Sequence, residues 1–294
     1  GGLRDLNQAA SSSENVAVEL VTRRCVDCGA VSWRPKCPVC GGKTAISGRC
    51  LGCGDEYREL RDECGRCGGR ISYSSMQTVP IRTLLNEAAQ IVGEMPHSRV
   101  SGVRGLTSRA KVPEDIVKGL LRAKYGLHVY KDGTTRFDAT NAPLTHFRPS
   151  QIGTDVETLR RLGYLYDVDG EPLTSPDQVC ELMLQDIILP RKAGEHLLRV
   201  SRFIDDYISR VAGLDRYYNC KTINDLVGKL VVALSPHTYV GVLGRVIGFV
   251  DGLLCYSHPV FHAAKRRDCD GDEDSVMLLL DAVSYTHLTL PTNR

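Results

Sequence analysis

From Ile81 onward the apolar positions recur with a helical period. Ile81, Leu84, Leu85, Ala88, Ile91 and Val92 fall on one face at 3.6-residue spacing, which predicts a helix there. A second helix is expected to begin at Pro113, a residue suited to a first helical turn, with Ile116, Val117, Leu120 and Leu121 inward. Residues 127–131 and 134–138 read as two strands joined by Asp132-Gly133, a dipeptide suited to a type I′ turn. Further helices are expected near 155–162, from Ser175 as N-cap through Pro176 to Leu184, across 192–211 and across 222–234. Between Tyr239 and Leu280 the apolar run is broken by Gly241, Gly244, Gly248 and Gly252. That suits short strands with tight turns, or one closely packed helix, and periodicity does not choose between them. The pattern predicts an α+β fold with a mixed α/β middle and no internal repeat beyond the cysteine spacing.

Punctuation divides the chain further. Residues 1–22, with Ser11, Ser12 and Ser13 in a row, read as a linker or the remnant of an upstream domain, and the lack of an initiating Met fits a fragment. Residues 23–70 are rich in cysteine and glycine and poor in aliphatics, so metal is expected to substitute for a hydrophobic core. Residues 71–230 form the mixed accessory region, and 231–283 the apolar, glycine-broken segment that ends in an acidic loop.

The chain has 294 residues and a formal net charge of +2, too little to announce a nucleic-acid binder. No run of 18 apolar residues and no signal-peptide pattern occurs, so no membrane role is expected and the cytoplasm is the default compartment. Charge is concentrated locally between Arg99 and Arg136, where nine Lys/Arg face three acids, a net of +6. This run reads equally as a nucleic-acid surface or a solvated face.

Eight of the twelve cysteines lie within residues 25–67, all in CxxC pairs: Cys25, Cys28, Cys37 and Cys40, then Cys50, Cys53, Cys64 and Cys67. Four thiolates complete a tetrahedral zinc shell and leave no open position for a reacting water, so two structural Zn2+ are expected. Each pair is followed by glycine (Gly29, Gly41, Gly54, Gly68), which lets the backbone turn over the metal. Sequential pairing into two ribbons is the simplest assignment, with interleaving open. Cys180, Cys220 and Cys255 lack partners and read as buried thiols.

The second chemical signal is Asp268-Cys269-Asp270-Gly271-Asp272-Glu273-Asp274, five acids in seven residues. Crowded carboxylates raise one another's pKa unless a cation compensates, and hard oxygen donors select Mg2+ or Mn2+. An EF-hand counted from Asp268 would need Gly at its sixth position and Glu at its twelfth, where the chain has Glu273 and Leu279. What remains is DxDGD, in which Gly271 is expected to bend the backbone so that Asp268, Asp270 and Asp272 converge. Two metals about 4 Å apart on such ligands activate a 3′ hydroxyl and stabilise leaving pyrophosphate. Lys265, Arg266 and Arg267 just upstream suit phosphate or nucleic-acid contact. Cys269 should point away from the metal side. His258 and His262, four apart, and His237 read as structural histidines.

The stretch Tyr256 to Asp274, followed by Ser-Val-Met-Leu-Leu-Leu-Asp-Ala282, closely resembles the catalytic segment of the large subunit of archaeal D-family DNA polymerases. The resemblance extends through Ala233–Thr238, Gly244–Asp251, Leu144–Pro149, Phe137–Thr140, the cysteine quartets and Arg4–Leu6. It implies a template-directed DNA polymerase with a core of two double-psi β-barrels, 231–283 being part of one and the other lying upstream. It further implies Asp270 and Asp272 as Mg2+ ligands, with Asp268 at a position that is often Asn in the family. Primer-template DNA, dNTPs, a small proofreading subunit and a sliding clamp are the implied partners, and the fragment alone is expected to be inactive. The RNA polymerase largest subunit, whose loop also reads DxDGD, and a non-catalytic zinc-stabilised nucleic-acid-binding module are the alternatives. Residues 284–294 do not continue the pattern and resemble a translated sequencing-adapter tail.

Overall fold

A computed structural model describes residues 5–282 except 97, 102–109, 131, 132, 237, 239 and 269. The chain forms two units, one built mainly from residues up to Lys124, the other from Tyr125–Tyr130 and from Thr134 onward.

In the first unit, α1 (Leu6–Ser12) is capped by Asp5, whose carboxylate accepts from the Asn7 amide at 3.0 Å. β1 (Val16–Val21) follows, so the expected linker is ordered structure. Two small three-stranded sheets come next. β2 (Arg23–Cys25), β3 (Val31–Ser32) and β4 (Thr44–Ile46) form the first, in the order β3-β2-β4. β5 (Gly48–Cys50), β6 (Glu56–Tyr57) and β7 (Ile71–Ser72) form the second, in the order β6-β5-β7. β8 (Ser74–Val79) returns antiparallel to β1, with Val16 opposite Val79. Val21, Cys50, Cys64, Ile71, Tyr73 and Ala110 make a small buried cluster against which Trp33, Ile46 and Tyr57 pack. Two zinc-type cysteines therefore sit among the few apolar side chains of this core.

α2 (Ile81–Val92) takes the residues that the period predicts, burying Ile81, Leu85, Ala88 and Val92 and stopping at Gly93 with φ +83°. α3 (Ile116–Lys124) starts three residues after Pro113, because the Asp115 carboxylate accepts from the Val117 amide at 3.0 Å and fixes the first turn there.

The second unit opens with β9 (Phe137–Pro143), β10 (His146–Phe147), α4 (Pro149–Ile152) and α5 (Val156–Arg161), the last capped by Asp155. β11 (Cys180–Glu181), β12 (Asp186–Pro190) and α6 (Arg191–Tyr207) follow, α6 running into a π-helical turn at Ile208–Ala212. Then come a 3-10 turn (Ile223–Leu226), β13 (Leu230–Leu234), β14 (Val242–Val250), β15 (Leu254–Ser257), α7 (Pro259–Ala264) and β16 (Glu273–Leu278).

Three expectations are corrected here. Residues 175–184 are not helical: the Gln178 carboxamide accepts from the Thr174 and Ser175 amides (2.8 and 2.7 Å), closing a turn, and Cys180–Glu181 pairs with β10. Residues 222–234 hold one 3-10 turn, then Gly228 at φ +86° breaks the helix and the β-branched run enters a sheet. Leu127–Tyr130 form no strand, and Phe137 pairs with distant segments rather than folding back; Lys131 and Asp132 of the expected turn lie outside the described residues.

Six strands close a barrel in the order β12-β14-β13-β16-β9-β15, with β15 returning to β12. Two neighbouring pairs are parallel, β12 with β14 and β9 with β15, and the other four are antiparallel. Exchanging β9, β12 and β13 for β14, β15 and β16 leaves this pattern unchanged, and α6 and α7 occupy matching places after β12 and β15. The topology thus carries an internal duplication that no sequence repeat announced. Because β9 and β12 belong to it, the barrel begins well before residue 231, inside the expected accessory region. Gly248 is needed for packing: a Cβ there would meet the Ile152 carbonyl oxygen at 2.7 Å.

Candidate metal centres and the carboxylate loop

The eight clustered cysteines pair sequentially. Among the described residues, Cys25, Cys28, Cys37 and Cys40 bring their sulfurs within 4.8 Å of one another, as do Cys50, Cys53, Cys64 and Cys67. Gly29, Gly41, Gly54 and Gly68 all have positive φ, from +69° to +81°, and each donates its amide to the carbonyl of the first cysteine of its own pair. The backbone also prepares thiolates. Amides of Cys40 and Val39 hold the Cys37 thiol down at about 6. The Tyr57 hydroxyl, 3.0 Å from the Cys64 sulfur, does the same for Cys64, to about 6. Four gathered sulfurs with their amide donors fit tetrahedral Zn2+.

The acidic loop joins α7 to β16 at the barrel. Asp268, Asp270 and Asp272 are exposed, and Gly271 turns the backbone at φ +92°. Their carboxylates are not gathered as the cysteines are, since only the quartets bring three or more ligand atoms within 4.8 Å among the described residues. Like charges keep them apart, and Asp272 is held by Arg267. The donor set, all carboxylate oxygens on a turning backbone, is the chemistry a hard divalent cation takes.

Behind the loop lies a buried ion network. Asp274, the fifth acid, is 1% exposed and sits between Lys265 and Arg267, whose Nε reaches its Oδ1 at 2.9 Å. Burial pushes the Asp274 carboxyl up, but the hydrogen bonds from Lys265 and Arg267 outweigh it and hold the group below the usual carboxylate range. Lys265 is buried, not facing solvent as expected: its amine is taken by Asp274 and, at 3.1 Å, by Asn141 Oδ1. Arg267 binds Asp274, Asp272 and the Glu273 carbonyl, and the Asp274 hydrogen bond leads in raising its pKa. Arg266 is exposed with φ +58°.

Asn141 escaped the sequence reading, and nothing in the sequence pointed to it, 131 residues from the loop. Its amide and its Nδ2 both donate to the Asp272 carbonyl, at 2.9 and 3.0 Å. His262 is buried, its Nε2 2.9 Å from the Ser257 hydroxyl, with burial and then Lys265 pushing its pKa down; His258 caps α7. Cys180, Cys220 and Cys255 are buried thiols as expected. Cys269 and His237 lie outside the described residues.

The basic stretch is largely neutralised where described. Arg122 forks onto Glu114 (2.6 and 2.8 Å), Lys124 meets Glu94 at 3.2 Å, Arg136 meets Asp138 at 3.2 Å, and Lys111 pairs with Glu19. No helix among the described residues is long and apolar enough to cross a membrane.

A zinc-stabilised unit followed by a closed barrel with a carboxylate loop is the layout of a nucleotidyl-transfer protein, and comparison with known proteins agrees. Residues 93–294 match the family model described as "DNA polymerase II large subunit DP2, catalytic domain", and residues 1–59 match that subunit's central domain. The chain belongs to this archaeal D-family large-subunit family. DNA polymerase II large subunits of Pyrococcus furiosus, Methanocella arvoryzae and Archaeoglobus fulgidus are 47%, 45% and 44% identical to it across the whole chain. The chain spans about a quarter of their length: 24%, 26% and 26%. The catalytic-domain match runs through residue 294 and so gives no support to an adapter origin for 284–294; residues 283–294 lie outside the described residues.

Proposed function

We propose that this chain carries the nucleotidyl-transfer site of a template-directed DNA polymerase, with Asp270 and Asp272 as metal ligands and Asp268 as a third. The observation that carries the reading is the loop itself. Three exposed carboxylates stand on a turn at Gly271, at the start of a barrel strand whose next acid, Asp274, is locked inward by two cations. Bound Mg2+ or Mn2+ would supply the Lewis acidity that activates a primer 3′ hydroxyl and stabilises pyrophosphate. Arg266, exposed beside the loop, would meet nucleotide phosphates, while Lys265 acts from within by holding Asp274. Arg267 joins Asp272 to Asp274 and keeps the loop's charge balanced.

The strand pairing supports the double-psi barrel reading. Two interleaved halves with parallel pairs at matching places are what that fold requires, and a second barrel would come from the rest of the polymerase. The zinc ribbons serve shape rather than chemistry. The working assembly takes primer-template DNA and dNTPs, with a small proofreading subunit and a sliding clamp as partners, in the cytoplasm. Membership of a DNA polymerase family favours DNA synthesis over RNA synthesis.

The test is primer extension by the complete polymerase carrying Asp270→Ala with Asp272→Ala. Synthesis is expected to fall by at least a hundredfold with DNA binding retained. Undiminished synthesis would remove the site assignment.

A further inference from the structure

The Asp272 side chain is exposed, yet its backbone is the most firmly held part of the loop. Its carbonyl accepts from both the amide and the Nδ2 of Asn141, at 2.9 and 3.0 Å. The same carboxamide turns its Oδ1 to the buried Lys265 amine at 3.1 Å. Asn141 is itself 3% exposed. These two partners fix which end of the carboxamide is which: the oxygen must face the ammonium and the nitrogen the carbonyl. An Asp in its place would keep the Lys265 contact and lose the second donor to Asp272. An Ala would lose both.

We propose that Asn141 is a positioning residue for the metal loop, setting where Asp272 presents its carboxylate by pinning that residue's backbone to β9. Asn141 touches no reacting group; it acts through Asp272. The argument is geometric. Gly271, immediately before Asp272, has the freest backbone in the loop, and Arg267 pulls on the Asp272 side chain from one direction. Without a fixed carbonyl at 272, both torsions flanking that peptide would be set by whichever cation was nearest. Two donors on one carbonyl, from a strand already paired to β16 at Thr140 and Glu273, remove that freedom. Outer groups of this kind commonly change metal affinity tenfold to a hundredfold when lost.

The inference rests on Asp272 being a metal ligand, and the test separates the two claims. Mn2+ binding to the zinc-loaded chain is measured by electron paramagnetic resonance for the wild type, Asp270→Ala with Asp272→Ala, Asn141→Ala and Asn141→Asp. Thermal unfolding is followed in parallel. The wild type is expected to bind Mn2+ at a site that the aspartate pair removes. Both Asn141 variants are expected to bind about tenfold more weakly. In the complete polymerase, extension by Asn141→Ala should recover as Mg2+ is raised, which a purely structural defect would not do. Wild-type Mn2+ affinity in folded Asn141→Ala or Asn141→Asp overturns the inference and leaves the ligand assignment standing. Absence of any aspartate-dependent Mn2+ site overturns both. If neither Asn141 variant folds, Asn141 is a residue of the barrel's stability and the inference is overturned as well.

Discussion

Single residues behind the loop set its charge balance, and their burial makes them sensitive to change. Lys265→Met would strip Asp274 of one of its two cations while leaving the carboxylate inside. Breaking a buried pair costs about 3–5 kcal/mol, and because Arg267 remains on Asp274 the loss is expected near the lower end, read from the denaturant midpoint. Asp155, at the start of α5, accepts from the Thr158 amide at 2.7 Å, and that bond leads in holding its carboxyl below the ordinary value. Since the folded value is depressed, its contribution is present above the unfolded carboxylate pKa and is lost as pH falls through the folded one. Asp155→Ala should therefore cost about 1 kcal/mol at neutral pH, and the difference from wild type should shrink below about pH 4, as thermal unfolding across pH would register. At this scale the sequence was informative about identity and silent about burial. The run Lys265-Arg266-Arg267 looks uniform, yet the turn after α7 sends Lys265 inward and leaves Arg266 outside. Five acids in seven residues likewise look alike, but strand alternation takes Asp274 into the interior. Asn141 had no signal, because its role comes only from a strand pairing across more than a hundred residues.

Among elements, legibility followed how local the determining forces are. The zinc ribbons were readable down to pairing and glycine conformation, because CxxCG closes on itself within five residues. α2 was readable from its period, whereas 222–234 failed because a barrel edge outweighed helical spacing. The ribbons also supply core to their unit, with Cys50 and Cys64 buried beside Ile71 and Tyr73. Zinc removal is thus expected to loosen that cluster, and Trp33, the single tryptophan, packs against it and reports the change. Chelator treatment should release two Zn2+ per chain and shift Trp33 emission to the red. An unchanged spectrum after complete metal loss would show that the apolar cluster holds without zinc.

For the whole molecule, family-specific residue runs carried further than physics alone. Spacing favoured a divalent-metal loop, but the barrel that presents it could not be read from periodicity, since its strands are short and its neighbours remote. β9, made first, has as its barrel neighbours β15 and β16, which are more than a hundred residues away in the chain. A barrel whose every pairing is non-local folds slowly for its size, because large loops must close before any pairing repays them. The last strand to emerge from a ribosome, β16, is the one that directly follows the carboxylate loop, and it is also the one that seals β13 to β9. Synthesis order therefore withholds the anchoring of the acidic loop until the sheet has closed around it, so that nascent chains interrupted before that strand would carry an edge open to misassembly and no anchored metal site.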